Sequence, residues 1–296
     1  MESYKVPSSE IPGFSAIYRN PYFKDGTCSE FFSEITTMYE LFQHNVTKYS
    51  EGEFLGMRKL ISHKKTPIFG SYEWMTGKQA SVFVDEFGAG LEHVYTKYVS
   101  SVAQDSSAQQ PLGIYSVNRP EWILTEMAGF RSRKMSVGIS DATGVLSAEH
   151  MINDSKVPVV VCSMDKIPRI LERINEVPSL KAIICMDKFD CSHTSISTLA
   201  FNANAVKELK ARAESLGLAM LDMDEVREIG RDKPTTPKLP EPDDTSIICY
   251  TSGSTSSQKG VIVTHRAIVH STKAFVLSLN LKDETYMPFM PLVHIS

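Results

Sequence analysis

Residues 250–260 read Tyr250-Thr-Ser-Gly-Ser-Thr-Ser-Ser-Gln-Lys-Gly260, a stretch rich in hydroxyl groups that lies between two apolar runs. Ile247-Ile248-Cys249-Tyr250 leads into it and Val261-Ile262-Val263 leads out. This pattern predicts a buried strand, a polar loop and a second strand, followed by a helix that begins near Thr264. The fold is therefore expected to contain a sheet whose edge carries this loop.

The composition of the loop suits a polyphosphate ligand. Glycines let successive backbone N–H groups point at an anion, hydroxyls add further donors, and one lysine adds a positive charge. The candidate phosphate-binding residues are Thr251, Ser252, Gly253, Ser254, Thr255, Lys259 and Gly260. Composition alone is more typical of an ordinary surface turn than of a phosphate site. The order of the residues is more specific than their composition. It is not that of a Walker A loop, which needs Gly-Lys followed by Ser or Thr, whereas here Val261 follows Lys259-Gly260.

This loop resembles the phosphate-binding signature of the AMP-forming acyl-adenylate synthetases, which include acyl-CoA synthetases, firefly luciferase and adenylation domains. Within that superfamily it is most similar to long-chain fatty-acid CoA ligases of the peroxisomal or fungal type. The usual signature reads Tyr-Thr-Ser-Gly-Thr-Thr-Gly-x-Pro-Lys-Gly, so Ser256 replaces a glycine and Gln258 replaces a proline. The resemblance implies ATP, Mg²⁺, CoA and a fatty acid as cofactor and substrates.

Two further stretches are similar to this family. Pro291-Leu292-x-His294 matches a motif that lies beside the acyl and nucleotide site, which makes His294 a candidate substrate-site residue; a core histidine is the alternative. Ser116-Val-Asn-Arg-Pro-Glu-Trp122 also matches, but a helix start explains all of it. Pro120 would stand in the first turn, Asn118 or Arg119 would cap the helix, and Trp122 would lie in the core.

From residue 111 the sequence alternates between apolar strands and helices, which predicts an α/β fold with a parallel sheet covered on both faces. By resemblance, the layered parallel sheets flanked by helices form an incomplete N-terminal domain of an acyl-CoA synthetase. The predicted divisions are an N-terminal region packing on the sheet (1–110), an α/β subdomain (111–230), a proline-rich linker (231–244) and a phosphate-loop segment forming an incomplete second α/β subdomain (245–296).

Composition narrows the class of protein. The chain has 31 basic and 35 acidic residues, a net charge of −4 and no basic arm, so a nucleic-acid partner is not expected. No secretory signal and no apolar run of about 20 residues is visible. Five scattered cysteines fit reduced thiols, and the eight histidines lack metal spacing. We expect an intracellular protein. Peroxisome, ER and cytoplasm, peripheral membrane association and oligomeric state all stay open.

The resemblance implies ATP-dependent activation of a fatty acid to acyl-AMP and then to acyl-CoA. It covers only the leading part of the family's length, so we expect a truncated form that is inactive or severely impaired by itself, and no catalytic residue is assigned. A non-catalytic relative that binds nucleotide or a partner is the alternative. An unrelated P-loop-like kinase or ATPase is a third hypothesis, and the missing Gly-Lys-Ser/Thr argues against it.

Overall fold

The computed structural model describes residues 3–21, 34–63, 66–99, 108–140, 148–192, 195–251, 259–279, 281 and 284–293. The N-terminal part combines two antiparallel strand pairs with two helices. These elements are β1 (Tyr4–Lys5), β2 (Tyr18–Arg19), α1 (Met38–Lys48), β3 (Glu53–Ser62), β4 (Ile68–Thr76) and α2 (Gly77–Tyr98). Capping boxes start both helices, because Thr37 and Thr76 accept from the backbone N–H groups of Glu40 and Gln79.

A seven-stranded sheet follows. Its strands are β5 (Gln110–Tyr115), β6 (Lys134–Gly138), β7 (Val159–Cys162), β8 (Ala182–Cys185), β9 (Ala219–Asp222), β10 (Thr245–Thr251) and β11 (Lys259–Thr264). The strand order is β11-β10-β6-β5-β7-β8-β9. Every neighbouring pair is parallel except β10 with β11, which is antiparallel. The prediction of an α/β fold with a parallel sheet is confirmed.

Helices cover both faces of this sheet. They are α3 (Pro120–Arg131), α4 (Ala148–Asp154), α5 (Ile167–Glu172), α6 (Ala203–Ser215), α7 (Met223–Asp232) and α8 (His265–Leu279). One apolar core joins α1, α2, α3 and α7 to one face, and a second joins α4, α5 and α6 to the other. Val160 and Val161 are neighbours in β7 and lie in different cores, both fully buried. Such burial on two faces explains why the strands are continuously apolar.

The sequence analysis missed β9 and α7. The strand is only four residues long, and the helix is mostly charged. A signal was nevertheless present, since Asp222 and Glu225 have capping-box spacing. The Asp222 carboxylate accepts from the Glu225 N–H at 2.8 Å, and the Glu225 carboxylate accepts from the Asp222 N–H at 2.8 Å. Because α7 continues to Asp232, it enters the predicted linker.

The proline-rich segment before β10 is attached to the end of α3. The Lys238 N–H donates to the Arg131 carbonyl at 2.9 Å, and the Arg131 guanidinium donates to the Thr235 carbonyl at 2.8 Å. Arg133 then binds both carboxylate oxygens of Asp244, at 2.7 and 3.0 Å. This attachment delivers β10 into the sheet formed by the preceding segment, so the strands on either side of the predicted linker belong to one sheet. The domain boundaries themselves stay a prediction.

His265 starts α8 and is completely buried against α1 and α3. Its Nδ1 accepts from the Met38 N–H at 3.3 Å, and its ring meets Phe130 edge-to-face at 4.7 Å. Burial lowers the pKa of this imidazole to about 4, while the charges of Asp244 and Glu40 oppose the shift. His265 is therefore neutral in the folded protein at physiological pH.

We predict that His265 lowers the stability of the protein on acidification, because its imidazole binds a proton at a higher pH in the unfolded chain than in its buried place in the fold. Its pKa falls from about 6.5 unfolded to about 4 folded, so this contribution is complete above pH 6.5 and decreases as the pH falls through 4. Between pH 7 and pH 5 the expected loss is about 2 kcal/mol. Chemical denaturation of the wild type and of His265→Gln at both pH values measures it, and the stability change between pH 7 and pH 5 should differ by about that amount between the two proteins.

The matched control is His44→Gln, which changes an exposed histidine of α1 and should leave the pH dependence as it is in the wild type. Glu126 must be treated separately, because burial raises its pKa to about 7. A raised carboxyl pKa stabilises the fold at low pH, opposite in sign to His265. An unchanged difference between pH 7 and pH 5 in His265→Gln would contradict this prediction, because it would show that the folded and unfolded states bind a proton at His265 equally well.

Candidate functional site

A crevice lies at the carboxyl ends of the central strands. Helix α3 connects β5 to β6 across one face of the sheet, whereas α4 connects β6 to β7 across the other. The connections therefore change face between β5 and β7, the kind of position where open α/β sheets bind ligands. The crevice has a volume of about 510 Å³, within the range of small-molecule sites. It is lined by Tyr115, Ser116, Val117, Asn118, Ile139, Ser140, Lys166, Phe289, Pro291 and Val293.

The two ends of the hydroxyl-rich loop lie at this same edge of the sheet. Thr251 is the last residue of β10 and pairs directly with Lys259, the first residue of β11; both are exposed. Ile248 pairs in parallel with Val137, so Thr251 stands three residues past that pair. Ser140, which lines the crevice, is likewise three residues past Val137. Among the other predicted site residues, Ser252, Gly253, Ser254 and Thr255 lie outside the described residues.

Tyr250 anchors the strand that enters the loop. Its side chain is only 4% exposed, and its hydroxyl donates to Asp154 Oδ2 at 2.7 Å and contacts Ser155 Oγ at 2.6 Å. Burial raises the pKa of this phenol above its ordinary value, and the neighbouring Asp154 carboxylate adds to the shift. Tyr250 therefore holds the end of β10 against the end of α4 and leaves Thr251 to begin the exposed loop.

Gly260 lies directly opposite Tyr250 in the β10–β11 pair. A Cβ at this position would stand 2.9 Å from Ile248 Cγ2 and 3.3 Å from Tyr250 Cζ. The structure thus gives Gly260 a packing role under the tyrosine ring. Its predicted phosphate contact stays a prediction.

Asn118 connects the crevice to the segment 288–293. Its Nδ2 donates to the carbonyls of Met290 at 2.7 Å and Pro288 at 3.0 Å, and its Oδ1 accepts from the Leu292 N–H at 2.8 Å. The predicted cap is wrong for Asn118, whose side chain binds this segment. Arg119 occupies the N-cap position of α3 without a side-chain capping bond.

The other predictions for this stretch hold. Pro120 stands in the first turn of α3, and Trp122 is 2% exposed in the core. Val293, one residue before the predicted site residue His294, is buried against Gly138 at the end of β6. His294 itself lies outside the described residues.

A buried ion pair ties together three loops beside the crevice. Arg119, after β5, binds Asp187 Oδ1 at 2.9 Å, and their side chains are 8% and 2% exposed. Asp187, after β8, also accepts from the Met164 N–H at 2.9 Å and from the Ser197 hydroxyl at 2.9 Å. Because removing one partner leaves a buried charge unpaired, this network fixes the loops strongly. Sequence reasoning did not find it, since its members are far apart along the chain.

Lys166 supplies a positive charge to the crevice, next to Asp165 at 3.2 Å and over the Tyr115 ring at 5.2 Å. Within the described ranges, no three His, Cys, Asp or Glu residues are grouped as a metal site would need. None of the described helices is both long and apolar enough to cross a membrane. The described part of the site offers hydroxyl and cationic groups for an anionic ligand.

This arrangement of loop, strand and crevice agrees with the comparisons with known proteins. The family model described as AMP-binding enzyme matches residues 58–296. The chain belongs to this family. Its curated relatives include mouse long-chain-fatty-acid–CoA ligase 5, which is 31% identical over 273 residues, or 90% of this chain and 35% of the mouse protein. The peroxisomal acyl-CoA ligase 891 of Penicillium roqueforti is 29% identical over 99% of this chain and 40% of its own length.

Solved structures agree on the fold of this family member. The adenylation domain of a carboxylate reductase from Mycobacterium chelonae gives a TM-score of 0.63 at 16% identity, over 87% of this chain and 39% of that chain. A long-chain-fatty-acid-CoA ligase from Archaeoglobus fulgidus gives 0.60 at 17% identity, over 92% and 45%. The family model and the curated relatives confirm the predicted superfamily, and the chain spans 35% and 40% of the length of the two curated relatives named above.

We predict that Gly260→Ala destabilises the fold by about 1–2 kcal/mol, because the added methyl group is too close to Ile248 and the ring of Tyr250. Urea denaturation monitored by circular dichroism measures the change. Gly52→Ala is the matched control, since its Cβ would meet nothing closer than 3.7 Å. Equal stability of the two variants would show that the β10–β11 pair yields to the methyl group.

Proposed function

We propose that this chain forms the nucleotide-binding part of an ATP-dependent fatty-acid CoA ligase. The observation that carries the proposal is the placement of Thr251 and Lys259 as a strand pair at the carboxyl edge of the sheet, on the same edge as the 510 Å³ crevice. Family membership and relatives named as long-chain-fatty-acid CoA ligases support the substrate class.

The proposed reaction has two steps. A fatty-acid carboxylate oxygen attacks the α-phosphorus of ATP, and the bond to the β-phosphate oxygen breaks, which gives acyl-AMP and pyrophosphate. The sulfur of CoA then attacks the acyl carbonyl and AMP leaves. Negative charge grows on the departing pyrophosphate in the first step, so donors held beside it lower the barrier.

We assign the pyrophosphate end of ATP to the loop between β10 and β11. Lys259 supplies the positive charge, and the proposed set of backbone and hydroxyl donors is Thr251, Ser252, Gly253, Ser254, Thr255 and Gly260. The crevice would then take the remainder of the substrates, with His294 at its side as the family resemblance implies. Buried Tyr250 and the Arg119–Asp187 pair hold the surrounding loops in place.

Mg²⁺ and CoA belong to this proposal as expected cofactor and co-substrate. When bound, Mg²⁺ neutralises phosphate charge and polarises the phosphorus–oxygen bonds. The hydroxyl and lysine groups at the loop fit a nucleotide–metal complex that is bound through its phosphates, as is usual for Mg²⁺. No protein ligand to the metal is assigned among the described residues.

Residues 1–296 correspond to only part of the length of the named relatives, which bears on what these residues do by themselves. Because this chain corresponds to about two fifths or less of the length of the named relatives, we propose that these residues alone bind nucleotide but do not complete the synthesis of acyl-CoA. A nucleotide-binding role without turnover is thus the second candidate function. An intracellular location follows from the substrates, and the peroxisomal relative makes that organelle the first to examine.

We predict that Lys259→Gln weakens binding of ATP with Mg²⁺ to this chain about tenfold or more, because a charge-assisted contact to phosphate is lost. Titration calorimetry measures the affinity. Lys259→Arg should retain most of the binding, and Lys207→Gln, on the exposed side of α6, is the matched control with wild-type affinity. Wild-type affinity in Lys259→Gln would contradict the assignment.

The same variants separate the two candidate functions. Acyl-CoA formation from palmitate, ATP and CoA is the activity that distinguishes them. It is expected to be absent from residues 1–296. Detectable acyl-CoA from this chain alone that depends on Lys259 would show that it is a complete catalyst.

A further inference from the structure

The segment 288–293 forms one wall of the crevice without belonging to the sheet. Phe289 and Pro291 line the crevice, but Phe289 is 77% exposed and no strand pairs with this segment in the described part of the chain. Only Leu292 and Val293 pack against the apolar core. Burial therefore fixes one end of the segment and leaves the rest to polar contacts.

Those polar contacts come from one side chain. Among the described residues, the N–H···O bonds that hold the backbone of this segment are the three made by Asn118, to residues 288, 290 and 292. The one further bond to this backbone among the described residues involves sulfur and is longer, from Cys249 Sγ to the Val293 carbonyl at 3.7 Å. An asparagine amide offers two donors and an acceptor, so one side chain can bind two carbonyls and one N–H of this segment, which bends at residue 290.

The three bonds from Asn118 to residues 288, 290 and 292 form a clamp on this segment. The position of Asn118 in the fold explains what the clamp does. Asn118 lies three residues past the end of β5 and one residue before Arg119, which Asp187 holds in a buried ion pair. The clamp therefore stands on a rigid base at the face change between β5 and β7. On the opposite side, Val293 sits on Gly138 at the end of β6, where a Cβ would come within 2.7 Å of it. Two contacts thus hold the wall in place, one with Asn118 after β5 and one with Gly138 at the end of the neighbouring strand β6.

We propose that Asn118 is a positioning residue that holds segment 288–293 in place as the wall of the crevice, and through it sets the affinity of the nucleotide site. It touches the wall and not the reacting atoms. The affinity part of the proposal rests on the proposed function, whereas the clamp itself does not.

The first test is amide hydrogen exchange of the 296-residue chain, followed by NMR, in the wild type, Asn118→Ala and Asn118→Asp. Asn118→Ala should speed exchange of the Leu292 amide about tenfold, because its acceptor is removed. Asn118→Asp keeps an acceptor for that amide but loses both donors, so its exchange should fall between the other two. Asn204→Ala, an exposed asparagine on α6, is the matched control and should equal the wild type.

Equal exchange of Leu292 in the wild type and Asn118→Ala would overturn the clamp. So would faster exchange spread over β5 to β8, because this would show ordinary destabilisation of the sheet.

The second test is calorimetric titration of the same proteins with ATP and Mg²⁺. Asn118→Ala should bind about tenfold more weakly than the wild type and Asn204→Ala. Faster Leu292 exchange with unchanged ATP affinity would overturn the positioning role while the clamp stands. A wild-type chain that binds no ATP would instead refute the proposed function and, with it, the affinity part of this proposal. The exchange result distinguishes the two failures because it requires no ligand.

Discussion

The parallel pairing of β10 with β6 is the constraint on which the site depends. Ile247 and Ile248 pair with Ser136 and Val137, which aligns the carboxyl end of β10 with those of β5, β6 and β7. A parallel neighbour brings its outgoing loop to the same edge as the others, whereas an antiparallel one would send it to the opposite edge. The hydroxyl-rich loop and the crevice therefore share an edge because of the direction of one strand.

The motif around residues 250–260 divides into a framework and an exposed part. Tyr250 is buried and bonded to Asp154, and Gly260 makes room for its ring, so both serve packing between β10, β11 and α4. Thr251 and Lys259 are exposed at the loop ends. A signature motif thus combines residues that position a loop with residues that are exposed to a ligand. The sequence of the motif alone does not distinguish the two kinds.

The loops around the crevice are held by polar side chains that are distant in sequence. Arg119 reaches Asp187 across 68 residues, and Asn118 reaches Leu292 across 174. The first contact joins the loops that follow β5 and β8, and the second joins the loop after β5 to a segment that pairs with no strand in the described part of the chain. The second contact holds a wall of the crevice in place although that wall is largely exposed.

The sequence by itself determined the α/β class, the strands of the sheet centre, the start of α8 near Thr264 and the membership in the AMP-binding family, because these depend on local periodicity and on a motif contiguous in the chain. The weakly apolar β9 and the charged α7 escaped the periodicity argument, although the Asp222–Glu225 capping box marked the helix start.

Only the tertiary structure decided what Asn118, Tyr250 and Gly260 do, and that the strands on both sides of the proline-rich segment form one sheet. The physical reason is that hydrogen-bond partners and strand neighbours depend on which groups the folded chain brings close together, and these groups can be far apart in the sequence. The amide of Asn118 could equally well have capped a helix, but the segment that packs Val293 on Gly138 has its backbone at residues 288–292 within reach of this amide.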